Sequence, residues 1–121
     1  MKRDMDLVRK ILLELEGHQA GYAPSELQIQ GYSQEQVGFH VLLMGEAGLL
    51  VAHDGTCFES TSPMGIASRL TWEGYEFLDA ARSDSIWTKA KQQMRDEGLG
   101  MTWGVLKDLL IALAKRSVGL P

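Results

Sequence analysis

The sequence predicts a mainly helical α+β fold on three observations. Apolar residues recur at helical spacing in five segments. Two short apolar or alternating runs, Leu49–Ala52 and Ile66–Leu70, flank a polar stretch that carries Gly and Ser. The length of 121 residues, with 45% hydrophobic and 23% charged residues, suits a single globular domain over 1–121. At this size roughly two-thirds of the unfolded surface is buried on folding, so neither a metal nor a disulfide is required for stability.

Each element has its own signal. Met5, Leu7, Val8, Ile11, Leu12 and Leu15 form a helical stripe over about 4–16, with Asp4 as N-cap and Gly17 as stop. His18 to Ser25, with Gly21 and Pro24, reads as loop. Leu27 and Ile29 alternate with Gln28 and Gln30, which predicts a short strand over 26–30. Ser33 and Gln36 have capping-box spacing and open a helix through Val37, Val41 and Met44 that ends at Gly48. Leu49–Ala52, the polar segment His53–Gly65 and Ile66–Leu70 together predict a hairpin with a long tip. Thr71 caps a helix with Trp72, Tyr75, Leu78 and Ala81, ending near Arg82. A further helix begins after Asp84 or Ser85 and buries Ile86, Trp87, Ala90 and Met94. The last starts at Thr102 and packs Val105, Leu106, Leu109, Leu110 and Leu113.

Helix, strand, helix and β-hairpin in this order predict a winged-helix-like domain, here with a C-terminal helical extension from about residue 84. Within it, HVLLMGEAGLL (His40–Leu50) fits the end of a recognition helix running into the wing. Together with the start MKRDMDLVRKIL, the segment GYSQEQV, and RLTWEGYEFLDAAR followed by WTKAK, this phrase resembles a family of uncharacterised bacterial and phage proteins, a domain of unknown function. The resemblance covers nearly the whole chain and implies the architecture, with no activity, substrate or catalytic residue attached.

Charge excludes more than the net value of −4 suggests. From Ile11 to Ser68 there is no Lys or Arg, while seven acids occur: Glu14, Glu16, Glu26, Glu35, Glu46, Asp54 and Glu59. Such a stretch offers no cationic footprint to a phosphate backbone. The N-terminus carries Asp4 and Asp6 and lacks the apolar core of a signal peptide, and no apolar run is long enough for a membrane span. One cysteine permits no intramolecular disulfide and suits a reducing, cytoplasmic setting.

With Val37, Val41 and Met44 turned to the core, the opposite side of the central helix holds Glu35, Phe39, Leu42, Leu43 and Glu46. An apolar patch of Phe39, Leu42 and Leu43 rimmed by acids reads as a protein contact, unless the C-terminal helices cover it. For a DNA-binding regulator of winged-helix type, the only amide side chains on that helix are Gln34 and Gln36.

Catalytic signals are weak. Cys57 and His53 lack a full set of metal ligands, and Asp54 and Glu59 do not favour a thiolate nucleophile. His40 reads as a packed or capping histidine. Glu14/Glu16 and Asp96/Glu97 read as solvated carboxylates, and Gly45, Gly48, Gly98 and Gly100 as helix ends and turns rather than a phosphate loop. Trp72, Trp87 and Trp103 read as wedges between helices, Trp72 filling the junction of the first helix and the hairpin. The last helix, with Lys107, Asp108, Lys115 and Arg116 around a Leu-rich stripe, reads as a packing or dimerisation helix. The expectation is therefore a non-enzymatic regulatory module acting through protein–protein contact or dimerisation, with no catalytic, cofactor or metal residue and no small-molecule substrate. DNA binding is the alternative.

Overall fold

A computed structural model of the chain describes residues 1–18, 21–24 and 26–121; the expected loop over 18–25 therefore lies partly outside the described residues. Its elements are α1 (Met5–Glu16), α2 (Gln34–Glu46), β1 (Leu50–Asp54), β2 (Gly65–Leu70), α3 (Trp72–Ala81), α4 (Asp84–Asp96) and α5 (Trp103–Ser117). The mainly helical α+β class with a β-hairpin and C-terminal helices holds. The chain forms two compact units, Met1–Glu76 and Phe77–Pro121.

In the first unit α1 buries Met5, Leu7, Val8, Ile11, Leu12 and Leu15, the stripe its spacing predicts. Asp4 caps it, its Oδ1 accepting the N–H groups of Asp6 at 2.9 Å and Leu7 at 3.3 Å. The expected strand over 26–30 is irregular chain. Ile29 is buried and Leu27 half-buried, so the alternation reports burial correctly, but no ladder forms around it. Upstream, the Ala23 N–H donates to the Ser68 carbonyl at 2.7 Å.

α2 starts at a complete capping box: Ser33 Oγ accepts the Gln36 N–H at 3.1 Å, and Gln36 Oε1 accepts the Ser33 N–H at 2.9 Å. Its buried face is Val37, Gly38, His40, Val41 and Met44. His40 is 1% exposed and bonded at both ring nitrogens. The Asp4 N–H donates to Nε2 at 2.8 Å, and Nδ1 lies 2.8 Å from the Gln36 carbonyl. Since that carbonyl can only accept, Nδ1 carries the proton and Nε2 is the acceptor. Tyr32 joins the junction, its hydroxyl donating to Asp4 Oδ2 at 3.2 Å; burial first, and then the Asp4 charge, holds the phenol above its usual range.

β1 and β2 pair antiparallel, from Leu50 opposite Leu70 to Asp54 opposite Gly65, with a bulge that leaves Ser68 without a partner. Past the sheet, the Thr71 hydroxyl donates to the Gly48 carbonyl at 2.5 Å and accepts the Gly74 N–H at 3.1 Å. One side chain thus caps α3 and ties it to the end of α2. Gly74 is required by contact, because a Cβ there would collide with the Leu49 carbonyl oxygen. With Gly74 turned inward, Trp72, two residues earlier at about 100° per residue, faces away. It is 77% exposed, so the expectation that it fills a junction is overturned.

The second unit is built on aromatic contact. The Phe77 ring meets Trp87 edge-on at 6.3 Å and Trp103 at a 40° tilt and 4.4 Å. Trp87, Ala90 and Met94 of α4 and Leu106 and Leu110 of α5 are buried. The α4 cap is Ser83, one residue before the expected pair, with Oγ accepting the Ile86 N–H at 3.3 Å. Val105, expected in the core, is exposed, and Leu109 and Leu113 are half-buried.

His40→Leu is expected to strand the Asp4 N–H at the α1–α2 junction and to cost about 1–3 kcal/mol. Thermal melts of the two proteins measure it, and an unchanged Tm would show that the junction does not depend on the imidazole.

Candidate functional site

In the first unit a surface is built by α2, the hairpin and the segment before α2, with Met64 and Ile66 among its exposed apolar residues. Its geometry starts from a close approach. A Cβ on Gly65 would lie 2.5 Å from the Leu42 nitrogen and 2.8 Å from its Cα, so β2 begins directly against the α2 backbone. On α2 the Gly38 position meets the Met64 side chain at 3.2 Å. The hairpin therefore lies along α2, and a hollow of about 270 Å³ opens between them and the chain around Pro24 and Leu27. Val37, Val41, Met64 and Ile66 supply apolar lining, and Glu26 and Gln34 are its polar members.

The expected contact residues Phe39, Leu42 and Leu43 are half-buried. Phe39 sets its ring edge-on to His40 at 6.0 Å, and Leu42 backs onto Gly65. Of the two amide candidates, Gln34 is exposed, whereas the Gln36 side-chain oxygen is held by its own helix start. The nearest bases to this region in sequence are engaged as well: Lys10 Nζ sits 5.2 Å over the Tyr32 ring, and Arg69 Nη1 donates to the Leu70 carbonyl at 3.1 Å.

The hairpin tip is an ordered turn. Asp54 Oδ1 accepts the Thr56 N–H at 2.9 Å, Thr56 Oγ1 accepts the Met64 N–H at 2.8 Å, and the Gly55 N–H donates to the Met64 carbonyl at 2.8 Å. Thr56, through its hydroxyl and then its N–H, holds the Asp54 carboxyl below its usual range. Phe58 stands at this tip fully exposed. Cys57 is an exposed thiol 3.4 Å from Ser60 Oγ, and bonding from the Ser60 hydroxyl and then the Glu59 backbone holds it below the usual thiol range. His53 is exposed on β1. Among the described residues no group of three or more His, Cys, Asp or Glu is placed to hold a metal ion. No helix among them is long and apolar enough to cross a membrane.

Several of these residues escaped sequence reasoning. The hollow is assembled from three separate segments, joined by the Gly65 approach to Leu42 and the Ala23–Ser68 hydrogen bond. Pro24, Leu27 and Met64 each read singly as loop or strand residues. Trp72 and Tyr75, both exposed on α3, were hidden by the assumption that a tryptophan in a helix is a wedge.

Helix, helix, hairpin and C-terminal helices, with an acidic, apolar-lined surface on the first unit, define a class of small α+β module. Residues 2–100 match the family described as hypothetical protein DUF2513, and the chain belongs to that family. It is 36% identical over 112 residues to an uncharacterized protein of Haemophilus influenzae (strain ATCC 51907 / DSM 11121 / KW20 / Rd), covering 90% of this chain and 92% of that protein. No solved structure matches the chain.

Two outcomes follow from this geometry. Trp72→Ala is expected to change stability by no more than about 0.5 kcal/mol, as for a surface position, and a marked fall in Tm would place the indole in a core. Cys57 is expected to react readily with iodoacetamide at neutral pH, and Ser60→Ala to move the midpoint of its pH–rate profile upward. An unmoved midpoint would dismiss the role of the Ser60 hydroxyl.

Proposed function

We propose that this chain is a non-enzymatic, winged-helix-like regulatory module that works by binding protein in a cytoplasmic setting. The observation that carries the reading is the pairing of apolar surface with missing cations. The helix and hairpin that would face DNA in a winged helix lie wholly within Ile11–Ser68, apart from the last two residues of β2, and that stretch has no Lys or Arg. In place of bases these elements present Phe58, Met64 and Ile66 as exposed apolar side chains and Phe39, Leu42 and Leu43 as half-buried ones. Exposed apolar groups among acids favour contact with protein, since burying them releases water without a phosphate to neutralise.

The alternative, a DNA-binding regulator, would rest on Gln34, because Gln36 is committed to the capping box. One amide without nearby phosphate clamps supports neither the affinity nor the register that base reading needs. Fluorescence anisotropy with a labelled random duplex at low ionic strength is expected to show no saturable binding. Micromolar affinity that falls steeply with added salt would overturn the protein-binding reading in favour of DNA.

A further inference from the structure

Resting on the protein-binding reading, the hollow between α2, β2 and the residues Pro24, Glu26 and Leu27 specifies what the partner must offer. Three observations converge on it. Among the described residues the sheet has two strands, so β2 has one strand neighbour there. On β2 the bulged Ser68, which has no Cα partner in β1, already accepts a backbone N–H from Ala23, so β2 already bonds a backbone outside its ladder with β1. The stretch Gly65–Ala67 that follows along the same strand lines the hollow.

Size and charge narrow the occupant. At about 270 Å³ the hollow falls below the roughly 300–1,000 Å³ of small-molecule sites, and its apolar lining of Leu27, Val37, Val41 and Ile66 suits one or two aliphatic side chains. Among the described residues that line it, Glu26 carries the charge, and none is Lys or Arg. A segment bearing Lys or Arg is drawn to such a surface, whereas the equivalent face of a second copy is repelled.

We propose that this hollow takes an extended basic segment of a partner protein, laid along β2 as an additional strand. Alternate side chains of a strand point to opposite faces. One apolar residue therefore enters the hollow, while a Lys or Arg two positions along, on the same face, reaches Glu26. Backbone pairing supplies affinity, and the hollow and its acidic border supply selectivity.

The test pans a phage-displayed random-peptide library on the full chain and maps the best binder, as a synthetic peptide, by backbone amide NMR shifts. The expected binders carry Lys or Arg two residues from an aliphatic one and shift the amides of Ile66, Ala67, Val37 and Val41. Gln34→Trp, at an exposed α2 position bordering the hollow, is expected to keep the Tm and weaken the peptide at least roughly tenfold. Glu26→Lys is expected to weaken it as well and to flatten its salt dependence. Acidic or charge-indifferent binders, or no binder at all, would overturn the proposal. Shifts confined to Phe58 or Trp72 would also remove the hollow, while leaving the protein-binding reading standing. A doubling of mass in light scattering that Gln34→Trp abolishes would assign the hollow to a second copy and overturn the proposal equally.

Discussion

The first unit depends on one imidazole. His40 sits within α2 and bonds outward to the Asp4 backbone and inward to the Gln36 carbonyl. Asp4 is at the same time the residue that starts α1. A single neutral side chain thereby fixes where one helix begins relative to a turn of another. A hydrocarbon of equal size would fill the volume and leave a backbone donor without a partner. Burial of polar backbone is tolerated here because the ring offers one donor and one acceptor in the right order.

From that junction the remaining contacts of the unit take their places. α2, held at its N-terminal half, receives the hairpin on a side made of glycines and small side chains. Thr71 then connects the end of α2 with the start of α3 through the Gly48 carbonyl. Much of the segment Leu70–Leu78 is accounted for by folding alone: Thr71 bridges, Gly74 clears the Leu49 carbonyl, and Phe77 and Leu78 are buried. Trp72, Glu73, Tyr75 and Glu76 are the residues of that block left at the surface.

Periodicity made the helices legible, because each buries a stripe that recurs at 3.6 residues and begins at a recognisable cap. α1 and α2 match their sequence signals to within a residue. The strand expected at 26–30 shows what periodicity leaves undetermined. Alternation records which side chains are buried, whereas a strand also needs a neighbour for its backbone, and residues 26–30 join no ladder. Trp72 shows a second gap. Residue type suggested a core position, but the contact of Gly74 with Leu49 decided the rotation of α3, and that contact joins residues 25 apart in sequence. The base-free stretch was legible outright, since charge can be read without geometry. The hollow was not, because it depends on three segments meeting.

Gly65 has a consequence for how the hairpin finds its pairing. A strand displaced by one residue turns its side chains to the wrong faces, and such errors are costly wherever one face is buried. A displacement by two keeps the faces and is the harder error to exclude. Here it would bring Pro63 or Ala67 to the place where Gly65 meets the Leu42 backbone, with no room for a methyl group. The missing side chain thus acts as a key that holds β2 in one position along α2 and rejects shifts of that strand that hydrophobic pattern alone would tolerate.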